Sequence, residues 1–139
     1  MVEGSIYNII EFTSCMKIPR TRLKFNKKNQ KKLALWAADS AEEILSYFEK
    51  KYPKDKRPRE AIEKARAWVK GKITVGEARK ASLNSHAAAR EALADKNLAA
   101  CFAARAAGHA VATAHVPRHA YGVTYYSEKL QKVLENANN

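Results

Sequence analysis

The chain has 139 residues, 46% of them hydrophobic and 29% charged, with a formal net charge of +12. That length suits a single domain with one real core. The longest apolar stretches are cut by Arg90, Asp95, Arg105 and His109, so no window reaches the ~18–20 apolar residues of a membrane span, and a chain so basic is an unsuitable electrostatic mimic of nucleic acid.

The charge is unevenly spread. Residues 1–32 carry half of it, a net +6, and all eight of their basic residues fall between Lys17 and Lys32: Lys17, Arg20, Arg22, Lys24, Lys27, Lys28, Lys31 and Lys32. This basic arm reads either as a solvated lead-in or as an electrostatic footprint for nucleic acid or an acidic protein. MKIPRTRLKF resembles a natural start at Met16, which makes residues 1–15 an upstream extension whose SIYNIIEF favours neither strand nor helix. The expected division is an extension with a weakly ordered basic arm over 1–28 and one helical domain over 29–139. Cys15 and Cys101 lack Cys-x-x-Cys spacing, and Glu3 and Glu11 interrupt anything like an export signal. Two free thiols in a reducing cytoplasm are expected.

From Asn29 onward the periodicity is helical. Leu33, Trp36, Ala37, Ser40, Ile44, Tyr47 and Phe48 recur at three- and four-residue steps, with Glu42, Glu43, Glu49 and Lys50 opposite, until Tyr52-Pro53 stops the first helix. Pro58 suits the first turn of a second helix that buries Ala61, Ile62, Ala65, Trp68 and Val69, and Gly71 suits its left-handed ending.

Thr74 and Glu77 have capping-box spacing at the start of a third helix. Val75, Ala78, Ser82, Ser85, Ala89 and Leu93 form its packing stripe, and Arg79, His86 and Arg90 a different one. Asp95 is the expected cap of a fourth helix spanning 96–116, which Pro117 ends. The fifth turns Ala120, Val123, Thr124, Ser127, Leu130 and Leu134 inward before the ENANN tail frays. Short loops and no internal repeat predict an all-α fold, a compact bundle of about five helices. Seventeen of the 25 alanines lie between Ala78 and Ala120, so the third and fourth helices should approach closely and form the spine, with Gly108 and Gly122 as close-packing positions.

All four histidines lie in the same alanine-rich stretch. His115 and His119 have i, i+4 spacing, but Pro117 lies between them, and no HExxH is present, so structural imidazoles are the expectation over a metal centre. A polar seam of Arg66, Arg79, His86, Arg90, Arg105, His109, Thr113, His115 and His119 is the candidate binding site. Guanidinium and imidazole groups gathered this way suit an anionic ligand or an acidic protein surface; alternatively the arginines pair with Glu60, Glu63, Glu77, Glu91 and Asp95 inside the bundle. Ser82, Ser85 and Cys101 have no local signature of a nucleophile with its base, and five glycines build no phosphate-cradling loop. Neither an enzyme nor a cofactor is expected.

The strings RPREAIEKARAWVKGKITVGEARKASLNSHAAARE and AAGHAVATAHVPRHAYG, with LALWAADSAEEIL before them, resemble a family of small all-helical prokaryotic immunity proteins of polymorphic toxin systems. The likeness spans roughly Lys31 to Tyr126 and is carried by positions such as Trp36, Pro58, Trp68, Thr74, Gly76, His86, Gly108 and His109. It implies a cytoplasmic antidote that binds and neutralises a cognate toxin without catalysis. The residues alone leave two other readings open: a helical protein that binds nucleic acid nonspecifically through its arm, and a histidine-cluster protein holding a metal or small anion.

Overall fold

The computed structural model describes residues 24–137. Lys17, Arg20, Arg22 and Cys15, like the proposed start at Met16, lie outside the described residues. A short 3-10 turn, Lys27–Asn29, leads into six helices among those described: α1 (Gln30–Ile44), α2 (Ser46–Glu49), α3 (Arg57–Val69), α4 (Val75–Ala94), α5 (Leu98–Ala112) and α6 (Ala120–Ala137), with a second 3-10 turn, Pro117–His119, before the last. The described fold is all-α. The expected first helix is divided at Leu45 into α1 and α2, which together still bury the predicted stripe of Leu33, Trp36, Ile44 and Phe48.

α5 is the central rod and touches all five other helices. Its sequence explains this position: ten of its fifteen residues are buried, seven of them alanine and one glycine, so neighbours approach from several sides without large side chains holding them off. The bulk that alanine lacks is supplied around it by Leu33, Ile44, Leu45, Phe48, Ile62 and Leu130, all essentially fully buried. Trp36 is buried in this core and Trp68 packs against it half-covered.

Local signals set most of the element ends. Pro58 lies in the first turn of α3, and Gly71 takes φ +73° beyond its end, its amide donating to the Trp68 carbonyl at 2.9 Å while Lys72 N–H reaches the Ala67 carbonyl at 2.9 Å. Thr74 Oγ1 accepts from the Glu77 amide at 3.1 Å and begins α4 as its spacing predicts. The far end of α5 is tied by Gln30, whose side-chain amide donates to the Thr113 and Ala114 carbonyls at 2.9 and 3.0 Å. Those are carbonyls that no later turn of helix satisfies.

Four local expectations are corrected. Asp95 does not cap α5. Lys96 turns left-handed at φ +62°, its amide and that of Asn97 bond back to the Leu93 and Ala92 carbonyls, and the pair closes the end of α4 instead. Asn97 then holds the cap position of α5, while the Asp95 carboxylate accepts from the Tyr52 hydroxyl at 2.8 Å. Val75 and Leu93 are 38% and 49% exposed because α4 faces its neighbours with Ala78, Ser82, Ser85, Ala88, Ala89 and Ala92, a stripe rotated away from both. α5 stops at Ala112, four residues short of the expected end, and Trp68 and Val69 at the end of α3 are only half-buried.

Candidate functional site

α4 and α5 make the most extensive helix pair of the fold. Two buried hydroxyls cross it: Ser82 Oγ donates to the Gly108 carbonyl at 2.8 Å and Ser85 Oγ to the Ala104 carbonyl at 2.7 Å. The two bonds set an antiparallel register, since a later serine meets an earlier carbonyl. They also place His86, one residue beyond Ser85, beside Arg105, one residue beyond Ala104.

The side chains that emerge along this seam form a linked cluster. Arg105 Nη1 lies 2.8 Å from His86 Nδ1. A guanidinium has only donors, so Nδ1 accepts and a neutral His86 carries its proton on Nε2. The His86 ring meets the His109 ring edge-on at 5.1 Å between centroids, and His109 lies 5.3 Å from His119, with their Nδ1 atoms 3.2 Å apart. That contact holds one proton, so one of the two nitrogens donates and the other accepts. Tyr126 of α6 stacks on His109 at 5.5 Å, Phe102 follows at 5.9 Å from Tyr126, and Lys129 Nζ sits 5.7 Å from the Phe102 ring centroid and 5.2 Å from that of Tyr125.

Two glycines make room for the imidazoles. A Cβ at Gly108 would stand 2.7 Å from His86 Nε2, and one at Gly122 would press into the His109 ring. Their reading as close-packing positions is thus made specific: each glycine receives the face or edge of a particular histidine.

Burial and shared positive charge keep these imidazoles neutral. Burial first, and then the neighbouring His109, Arg105 and Arg90, push His86 down to about 4. Burial, followed by His119 and Arg105, pushes His109 down to about 4, and burial followed by His115 lowers His119. Burial likewise raises the Cys101 thiol, which disfavours a reactive thiolate. Among the described residues no group of three or more histidines, cysteines or carboxylates has the arrangement of a metal site.

The predicted seam residues separate. His86, Arg105, His109 and His119 come together, and Arg90 is close enough to affect His86 electrostatically while remaining exposed. Arg79 is exposed on the same stripe of α4, one turn and more before His86. Arg66 does not join them: it lies on α3 and pairs with Asp39 at 2.9 Å and with Glu42 of α1. Thr113 is fully buried, its hydroxyl donating to the His109 carbonyl at 3.1 Å, and His115 is exposed at the end of the α5 turn. Arg57 pairs with Asp55 at 2.6 Å and bidentately with Glu91, and Arg59 with Glu49 at 2.8 Å, so these cations belong to the scaffold. In the described part of the arm, Lys24, Lys27, Lys28, Lys31 and Lys32 are all exposed, the last two in the first turn of α1.

Tyr126, Phe102 and Lys129 were not among the sequence candidates for the site. Their signal is the i+4 and i+7 spacing of Tyr126 and Lys129 from Gly122, which puts them on the edge of α6 that faces His109.

No helix among the described residues is long and apolar enough to cross a membrane. No curated protein and no solved structure matches the chain. A family model does: the one described as Imm-5 like putative immunity protein matches residues 23–138, which include every described residue, and the chain belongs to that family.

Proposed function

We propose that this protein is the antidote of a toxin–immunity pair: a cytoplasmic protein that binds its cognate toxin and blocks it by occupying its surface, without catalysis. The observation that carries the reading is the match of the immunity family over all the described residues. The geometry is in keeping with it. The histidine–arginine seam is mounted on the most extensively paired helices of the fold, and its imidazoles are held neutral, His86 bonded to Arg105 and His109 to His119. This suits a rigid, preshaped recognition surface better than an acid–base centre working near neutrality, which wants a pKa near the operating pH. The seam residues His86, Arg90, Arg105, His109 and His119, with Arg79, are the proposed contact region, and residues 29–139 the unit that carries it. The test is co-expression with each toxin domain encoded beside its own gene. Restored growth with one of them, together with a direct complex on gel filtration, is expected; no rescue with any of them overturns the proposal.

A further inference from the structure

Three helices present one continuous face. On α4 the row is Arg79, Leu83, His86 and Arg90; on α5 it is Leu98, Phe102, Arg105 and His109; on α6 it is Gly122, Tyr126, Lys129 and Val133. Each row has the same i, i+4, i+7, i+11 spacing, which places its members on one edge of a helix. The contacts from His86 to Arg105 and His109, from His109 to Tyr126, and from Tyr126 to Phe102 stitch the rows side by side.

Two properties mark this face. First, no carboxylate stands in any of the three rows. On α3, by contrast, the arginines are matched: Arg57, Arg59 and Arg66 each hold one or two acids. Here Arg79 and Arg90 have no ion-pair partner among the described residues, Arg105 spends a donor on a neutral imidazole, and Lys129 lies over two aromatic rings. Second, solvent-facing apolar groups accompany the cations: Leu83 and Leu98 in the rows are 67% and 41% exposed, and Tyr125, which touches Tyr126 and Lys129 at the edge of the α6 row, 52%. Arginine and aromatic anchors on a rigid support are the composition of interface hot spots.

Resting on the antidote reading above, we infer that the α4–α5–α6 face is the toxin-docking surface and that it takes an acidic protein surface carrying aliphatic or aromatic side chains between its carboxylates. Unmatched guanidinium groups supply bidentate donors to carboxylates, and the leucines and rings between them require apolar partners, which a phosphate backbone does not provide. A second copy of the chain is opposed by like charge, with +12 on each molecule and the same cations meeting across the contact. The lysines of the 24–32 segment stand in none of these rows.

The test has two arms. In the first, the isotope-labelled full chain is titrated with a synthetic peptide of alternating glutamate and leucine or tyrosine, with a lysine counterpart of the same length, and with a thymidine oligonucleotide. The acidic peptide is expected to shift amides of α4, α5 and α6 around His86, Arg105 and Tyr126. The triple variant Arg79→Glu/Arg90→Glu/Lys129→Glu, confirmed folded by its helical circular dichroism, should weaken its Kd about tenfold or more. Shifts confined to the lysines before α1, tighter binding of the oligonucleotide to the same rows, or a triple variant within about twofold of the parent would overturn the inference. In the second arm the variant enters the growth assay, with Lys64→Glu/Lys80→Glu on the outer side of α3 and α4 as the control. Loss of rescue by the triple variant alone is expected. Rescue kept by the triple variant overturns the docking face and leaves the antidote reading standing, whereas no rescue by the parent chain overturns that reading while the titration still decides the face.

Discussion

Gly122→Ala is the substitution for which general helix physics and this structure predict opposite signs. Glycine inside a helix is less favourable than alanine by about 1 kcal/mol, because it loses more backbone freedom on folding. Gly122 lies in the first turn of α6 with no positive φ, so propensity alone would make the change neutral or stabilising. Its surroundings argue otherwise. The new Cβ would lie 2.5 Å from His109 Nδ1 and 2.8 Å from Cδ2, against an ordinary contact of about 3.5–4 Å, so the ring must retreat by roughly 1 Å. His109 has little freedom to do so, being stacked on Tyr126 and bound through Nδ1 to His119.

Overpacking a fitted site costs about 1–3 kcal/mol, and losing the imidazole contact and ring stacking adds roughly 1 kcal/mol. Set against the propensity gain of about 1 kcal/mol, the net expectation is a loss of about 1–3 kcal/mol, or ~4–12 °C in Tm for a chain of this size. Thermal melts by circular dichroism measure it, with two comparisons. Gly76→Ala has only Thr74 Oγ1 at 3.7 Å before it and should be neutral or slightly stabilising. In a His109→Ala background, Gly122→Ala should recover its ordinary helix gain, because the obstructing ring is gone. A Tm that rises on Gly122→Ala with His109 in place, or an equal loss in both backgrounds, would refute the account of the seam.

The remaining expectations are smaller or broader in scope. The unfolded chain binds protons at its histidines near pH 6.5, but His86 and His109, enclosed by Arg90, Arg105, His119 and Tyr126, bind them only near 4. Stability present at neutral pH should therefore fall as pH drops from 6.5 towards 4, by about 2–4 kcal/mol in all after allowing for the open edge of the seam. Urea midpoints between pH 6.5 and 5, above the range of most carboxylates, isolate the effect, and a flat or rising midpoint contradicts it. Lys96→Gly removes the strain of a side chain at φ +62° and should stabilise by about 1 kcal/mol in the same melts. Ser85→Ala deletes the bond to the Ala104 carbonyl and should cost about 1 kcal/mol; Ser127→Ala, at a buried hydroxyl with no partner, should cost nothing or stabilise, and denaturant titrations of the pair test the contrast.

The helical architecture was legible because amphipathic spacing and end signals are local. Leu33 to Phe48, Pro58, Gly71 and the Thr74–Glu77 box could each be read from a few neighbouring letters. Where the reading failed, two local solutions competed. Asp95 is a sound helix cap by residue type, but the turn from α4 into α5 is closed by backbone bonds through Lys96 and Asn97, which frees Asp95 for Tyr52. Residue type gives no warning that a lysine will accept a left-handed conformation when the helices on both sides hold it there. Val75 and Leu93 failed for a different reason: on a helix this rich in alanine, the small residues define the buried stripe and the large ones are turned outward.

That inversion also explains how much of the site could be anticipated. The convergence of His86, Arg105, His109 and His119 was foreseeable, because close-packed small residues leave any larger side chain only the edges of the helix pair. The departure of Arg66 was not: it depends on Asp39 and Glu42 arriving from α1, and an arginine with two acids in reach on one side will not cross to a seam already cationic. The same rule sets the arginines of α3 apart from the cations of the seam. Carboxylates on α1, α2, α4 and the loop before α3 draw Arg57, Arg59 and Arg66 into the scaffold. The three rows across α4, α5 and α6 contain no acid, so their cations stay available to a surface the chain does not itself possess. A carboxylate introduced within those rows, as in Leu83→Glu beside Arg79 and Arg90, would supply the missing partner internally and should weaken the acidic-peptide binding without lowering thermal stability.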